Sequence, residues 1–195
     1  MGKNRRWGEE ETMGNRYPHF LHRHNFAIWA AARASQRRWG SAKTALIKTA
    51  VEASGLPKAV EDNASWPLDK EAFDTFHRHH CHRIMQRLEA DGVQTVTYGR
   101  AAKIVAIYLK SMVVVGPSWD TQLARLIHPP IDNMLLKNIV RGNGVPGEVR
   151  QACKGVKWTV LPEASYFRLI AVFRQHGMDK PAFWMLERYW KVTPD

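Results

Sequence analysis

Lys103 and Lys110 stand seven residues apart, and Asp132 follows a Pro129-Pro130-Ile131 junction downstream of them. Seven residues are two helical turns, so the lysines share one stripe. The rest of their segment is Ile104, Val105, Ile107, Tyr108, Leu109, Met112 and Val113. A helix that is apolar nearly all round is normally buried. Desolvation lowers a lysine's pKa and leaves the neutral amine that attacks carbon or forms a Schiff base. The same composition also fits two snorkelling lysines, whose stems cover apolar surface while the ammonium groups stay wet. Asp132 has two readings as well. A carboxylate at a helix N-terminus is stabilised for chemistry by free N–H groups and the helix dipole, and it is also a plain N-cap.

The elements that would hold these groups read as helices. Phe26, Trp29, Ala30, Arg33, Ala34 and Arg37 recur at helical spacing, with Asn25 as a possible cap and Gly40 as a stop. Ser41 would cap a second helix ending at Gly55 and Pro57, and Leu56 to Pro67 reads as a turn-rich connector plugged by Trp66. Asp69 opens a long helix with Phe73, Phe76, His80, Ile84 and Leu88 on one face, a basic opposite face, and Gly92 at its end. VQTVTYG has no partner strand and reads as a turn before a helix from Arg100 to about Val115. Trp119 to Ile127 is a short helix. His128 and the prolines are extended, and a helix from Asp132 stops at Gly142. The stretch from Arg141 to Gly155 reads as loop with one helical turn, and Pro162 to His176 and Pro181 to Trp190 are final helices. With no βαβ rhythm and no repeat, the class is all-α.

Composition narrows the partners. At 195 residues the chain fits one domain, here residues 19–195, behind a flexible arm over residues 1–18 that has no hydrophobic period. Twenty-nine Lys and Arg against 18 Asp and Glu leave a formal charge of +11, which favours a polyanion. Eight tryptophans and five tyrosines offer flat faces for bases. The bland alternative is a basic RNA-binding or structural protein.

Cys81 and Cys153 form no paired motif, so a disulfide framework or a multi-cysteine metal site is not expected. In HRHHCHR, His77 with Cys81 and His79 with His82 could share helix faces, but Arg78 and Arg83 interrupt them, and a DNA-facing basic side is preferred to a metal site. The start of the chain lacks a signal-peptide core. No stretch of about 18 apolar residues occurs, and Arg6 stands where a myristoylation signal needs Ser or Thr. An intracellular chain with no membrane association is expected.

Two segments together resemble a known family. TYGRAAKIVAIYLK followed by HPPIDNMLLKNI is similar to the signature of the helix-hairpin-helix DNA glycosylases of the endonuclease III superfamily. In that family a Pro-Gly-Val-Gly-x-Lys-x-Ala hairpin precedes a Pro-Val-Asp-Thr-His-Val segment. The match puts Lys103 on the lysine nucleophile and Pro130 to Asp132 on the Pro-x-Asp element. Gly99 is the hairpin's one glycine, with Ala101 near the place of a second, and Asn133-Met134 replaces Thr-His. The degenerate hairpin and the long lysine-to-aspartate gap look more like the archaeal 8-oxoguanine DNA glycosylase branch.

The resemblance implies a two-lobed all-α fold with the site between the lobes, no cofactor or metal, and a monomer acting on duplex DNA with a damaged base in the cytoplasm or nucleoid. A base flipped from the duplex would meet the Lys103 amine and the Asp132 carboxylate. Lys110, Gln36 and Pro130 are implied pocket residues. Trp29, Trp119 and Trp184 are candidates to stack on the base, although large aromatics more often fill cores. The turn from Tyr98 through Gly99, Arg100 and Ala101 to Ala102 would offer amides to a DNA phosphate.

Overall fold

The computed structural model describes residues 17–116 and 118–191, and among them every regular element is a helix. The proposed N-terminal arm lies outside the described residues except for Tyr17 and Pro18. In chain order the α-helices are α1 His19–Ser35, α2 Thr44–Ala53, α3 Leu56–Glu61, α4 Lys70–Ala90, α5 Tyr98–Leu109, α6 Gln122–Leu126, α7 Asn133–Arg141, α8 Gly147–Cys153 and α9 Glu163–Gln175. Short 3-10 turns lie at Asn63–Ser65, Trp158–Val160 and Phe183–Tyr189.

Side-chain caps set the helix starts that matter here. The Asp69 carboxylate accepts the Ala72 N–H at 2.7 Å to open α4, and Asp132 accepts the Leu135 N–H at 2.9 Å to open α7. Thr97 caps α5 through the Arg100 N–H at 3.4 Å, so that helix begins at Tyr98, two residues before the expected start. Gly92, with φ at 77°, ends α4 in the left-handed region where a side chain is strained.

Several expected boundaries are displaced. Asn25 lies inside α1, where its amide donates to the Tyr17 hydroxyl, and Pro18 is the N-cap. Ser41 does not cap α2; its hydroxyl accepts the Gln94 N–H, and Lys43 precedes the helix. The connector contains α3, which admits Pro57 because a first-turn proline lacks only an N–H that the helix would leave free. The single turn expected between Arg141 and Gly155 is the seven-residue α8. Phe183–Tyr189 is a 3-10 rather than an α-helix.

The helix expected to run unbroken to Val115 leaves α geometry after Leu109. Lys110–Val114 is a π-helical turn, closed by the Val115 N–H donating to the Lys110 carbonyl at 2.8 Å.

The apolar composition of α5 has the consequence its sequence implied, since eleven of its twelve residues are buried, Lys103 and Arg100 among them. α5 packs on α1, α4 and α9 and on the Trp158–Val160 turn, while α2 packs on both α1 and α4. α6 to α9 and the Phe183–Tyr189 turn assemble mainly among themselves. One continuous apolar core, from Ala27 to Leu186, joins both sets.

A polar network crosses that core. Arg174 donates to both oxygens of Asp74 at 2.7 and 2.8 Å, and Asp74 meets His128 at 3.1 Å. The hydrogen bonds continue from His128 to the Tyr166 hydroxyl, on to His77, and then to Tyr98 at the start of α5. A buried polar group is tolerated when it is paired, and this chain of pairs anchors both α5 and the extended segment that leads to Asp132.

Candidate active site

Lys103 projects from the middle of α5 and is 7% exposed. Its Nζ donates to Asp132 Oδ2 at 3.1 Å and lies 4.4 Å from the centre of the Trp158 ring. Asp132 is half-buried at the head of α7. Its Oδ1 accepts the Leu135 N–H, and its Oδ2 also accepts the Trp190 indole N–H at 3.1 Å. Burial lowers the Lys103 pKa; the Asp132 charge and hydrogen bond oppose this, and Arg37 adds to the lowering. The amine is thus easier to deprotonate than an ordinary lysine and has a carboxylate within reach of its proton.

Lys110, at the start of the π-helical turn, forms an ion pair with Glu187 and lies 5.8 Å from the centre of the Trp190 ring. Burial raises the Glu187 pKa against the pull of Lys110. A cavity of about 670 Å³ opens beside this pair, with Trp119, Trp184 and Val115 among its walls. Trp190 links the two groups, since its indole N–H is on Asp132 and its ring is near Lys110. The geometry offers an amine with an adjacent carboxylate and, joined to them through Trp190, a largely apolar cavity that carries one ion pair and that neither Lys103 nor Asp132 lines.

Of the residues singled out from sequence, Lys103 and Asp132 are in contact, and Lys110, Trp119 and Trp184 line the cavity. Pro130 is buried in the extended run before Asp132 and does not line the cavity. Trp29 is 55% exposed on α1 beside Phe26, away from the cavity walls. Gln36 does not line the cavity. It follows α1, and its amide donates to the Ala42 carbonyl at 2.8 Å and the Thr44 hydroxyl at 3.2 Å, closing the turn into α2.

The phosphate-binding expectation for Tyr98, Gly99, Arg100, Ala101 and Ala102 is overturned, because all five are buried. The Gly99 N–H donates to the Leu161 carbonyl at 3.0 Å, and those of Arg100 and Ala101 go to Thr97. The Arg100 guanidinium donates to the Ser35 and Arg37 carbonyls and lies over the Trp39 ring, so it closes the end of α1.

The basic face of α4 is likewise committed elsewhere. Arg78 and His82 both pair with Glu163, Arg87 pairs with Asp91, and Arg83 donates to the Ala53 carbonyl. His77, His80 and Cys81 are buried. The described residues hold no group of three or more His, Cys, Asp or Glu side chains that could bind a metal ion.

Trp158, Trp190, Glu187 and Arg37 belong to the site and were not singled out from sequence. The contacts of Trp158, Trp190 and Glu187 with Lys103, Asp132 and Lys110, and the electrostatic influence of Arg37 on Lys103, span large separations, and no local spacing marks them. No family model, no curated protein and no solved structure matches the chain.

Proposed function

We propose that the chain is a DNA glycosylase with associated lyase activity that excises an oxidised purine, 8-oxoguanine being favoured, and that it has the two-lobed helix-hairpin-helix fold. The observation that carries this reading is the buried Lys103 amine held 3.1 Å from Asp132. Support for two lobes comes from the division of packing between α1, α2, α4 and α5 on one side and α6 to α9 on the other.

In the proposed reaction Asp132 takes a proton from Lys103, and the neutral amine attacks the sugar C1′. The C1′–N bond breaks with its electron pair going to the base, which leaves protonated. The Lys110–Glu187 pair at the cavity would hold and give that proton. The aminal at C1′ opens to a Schiff base, and loss of a C2′ proton then expels the 3′ phosphate, cutting the strand. Trp119 and Trp184 would stack on the flipped base. The formal charge of +11 suits duplex DNA as partner. No helix among the described residues is long and apolar enough to cross a membrane.

A second reading makes the Lys103–Asp132 pair purely structural within a non-catalytic DNA-binding module. It is favoured by the full use of the Asp132 oxygens on Leu135, Lys103 and Trp190. Borohydride trapping on lesion duplex separates the two. Wild type should form a covalent adduct, and Lys103→Gln should bind without trapping. A wild type that never traps on any lesion of an oxidised-purine panel sinks the lyase reading.

A further inference from the structure

A second cleft, of about 340 Å³, lies between α7 and the end of α8. Lys137 and Arg141 rise from α7, and Lys154 and Lys157 from the turn after α8; all four are exposed and no carboxylate lines the cleft. None of these four side chains has an ion-pair or hydrogen-bond partner among the described residues, unlike the cations of α4. Mutual repulsion without a counter-charge is unfavourable in an isolated protein, so the arrangement is explained by an anionic occupant.

The cleft is joined to the Lys103 centre along the chain at two points. Asn133, on its wall, follows Asp132, and Lys157 precedes Trp158, the ring against the Lys103 amine. From Asn133 to Arg141 the wall rises about 12 Å at 1.5 Å per residue, which accommodates about three phosphates at 3.4 Å of axis per nucleotide in one strand. The floor is apolar, with Leu136, Val140 and Val156, and so suits the sugar faces between phosphates.

We propose that this cleft binds the sugar-phosphate backbone of the DNA strand flanking the nucleotide that enters the Lys103 site. The proposal rests on the reading of that site as one that acts on DNA. It places the backbone contacts on α7 and the turn after α8, in place of the α5 amides that are occupied within the fold.

The test measures binding of an undamaged duplex by fluorescence anisotropy as a function of salt. Lys137→Gln/Lys154→Gln is compared with Lys43→Gln/Lys58→Gln, which removes two equally exposed charges around α2 and α3. Each phosphate neutralised contributes about 0.9 to the slope of log affinity against log salt, so losing two contacts lowers the slope by about 1.8. Between about 50 and 200 mM salt the cleft variant should therefore lose about twelvefold less affinity than wild type. The control pair should keep the wild-type slope.

Equal slopes for the cleft variant and wild type overturn the proposal, and so does an equal drop in both variants. Competition by polyglutamate as strong as by DNA of equal charge also overturns it, by making the cleft a site for acidic polypeptide. Borohydride trapping by wild type is scored separately. Trapping with an unchanged slope sinks the cleft alone, and a lowered slope without trapping sinks the lyase reading alone.

Discussion

Gly99→Ala should destabilise the fold strongly, although Gly99 sits in a helix with negative φ, where alanine is ordinarily preferred. A Cβ at position 99 would lie 2.0 Å from the Trp158 carbonyl oxygen and 2.9 Å from Leu161 Cβ, against ordinary contact from 3.4 Å. The obstacle is backbone, so α5 or the Trp158–Leu161 segment must move by more than about 1 Å to restore ordinary contact. Overpacking of this kind costs about 1–3 kcal/mol. The same movement loosens the hydrogen bond from Gly99 N–H to the Leu161 carbonyl, worth about 1 kcal/mol. Alanine's helix preference offsets about 1 kcal/mol at most. The net loss is about 1–3 kcal/mol, read in urea as a midpoint lowered by about 0.5–1.5 M for a slope of about 2 kcal/mol per molar. Because Trp158 carries the ring against Lys103, trapping should slow as well. A change below about 0.5 kcal/mol, the size of an ordinary surface substitution, would refute the close-approach argument.

Asp132→Asn should abolish trapping and, because Asn caps helices as well as Asp while the buried Lys103 amine loses its counter-charge, cost about 1–3 kcal/mol; Asp132→Ala should lose about 1 kcal/mol more in urea unfolding. Burial lowers the Lys103 pKa, so the trapping rate should rise with pH and level off below pH 10.5, a profile that single-turnover rates across pH would read. Asp74→Ala leaves Arg174 and His128 without their shared partner, and chemical denaturation should show a loss of about 3 kcal/mol. Burial depresses the pKa of His80 to about 4 from the ordinary 6.5, and it lowers those of His77 and His128 too. The unfolded chain therefore binds more protons between pH 6.5 and about 4, so stability should fall as pH drops through that window, by about 3 kcal/mol from His80 alone. Flat stability across it, measured by urea titration at each pH, would contradict neutral buried histidines.

Local chemistry made part of this molecule legible from its residues. Asp69 and Asp132 announce helix starts because a capping carboxylate acts within three residues, and Gly92 ends α4 through its own backbone freedom. The burial of α5 follows from its composition, and so does the class. The ion-pair partners of the basic face of α4 are illegible in the sequence for the opposite reason. Glu163, the counter-charge of Arg78 and His82, lies 85 and 81 residues away. The amides of Tyr98 to Ala102 were misassigned because their acceptors include the carbonyl of Leu161, which no window around the turn contains. Trp158, Trp190 and Glu187 reach the Lys103 centre through tertiary packing alone, and α8 was underestimated because Gly144, Pro146 and Gly147 read as loop.

The carboxylate of Asp132 faces two ways, one oxygen on the Leu135 amide and the other on the Lys103 amine. The Leu135 N–H is consequently a native spectroscopic reporter, set one covalent group away from the amine. Its amide resonance and exchange rate should respond when the carboxylate gains a proton or when Lys103 withdraws to another partner. Occupancy of the centre could then be followed in the intact protein with an inert nucleotide and no turnover.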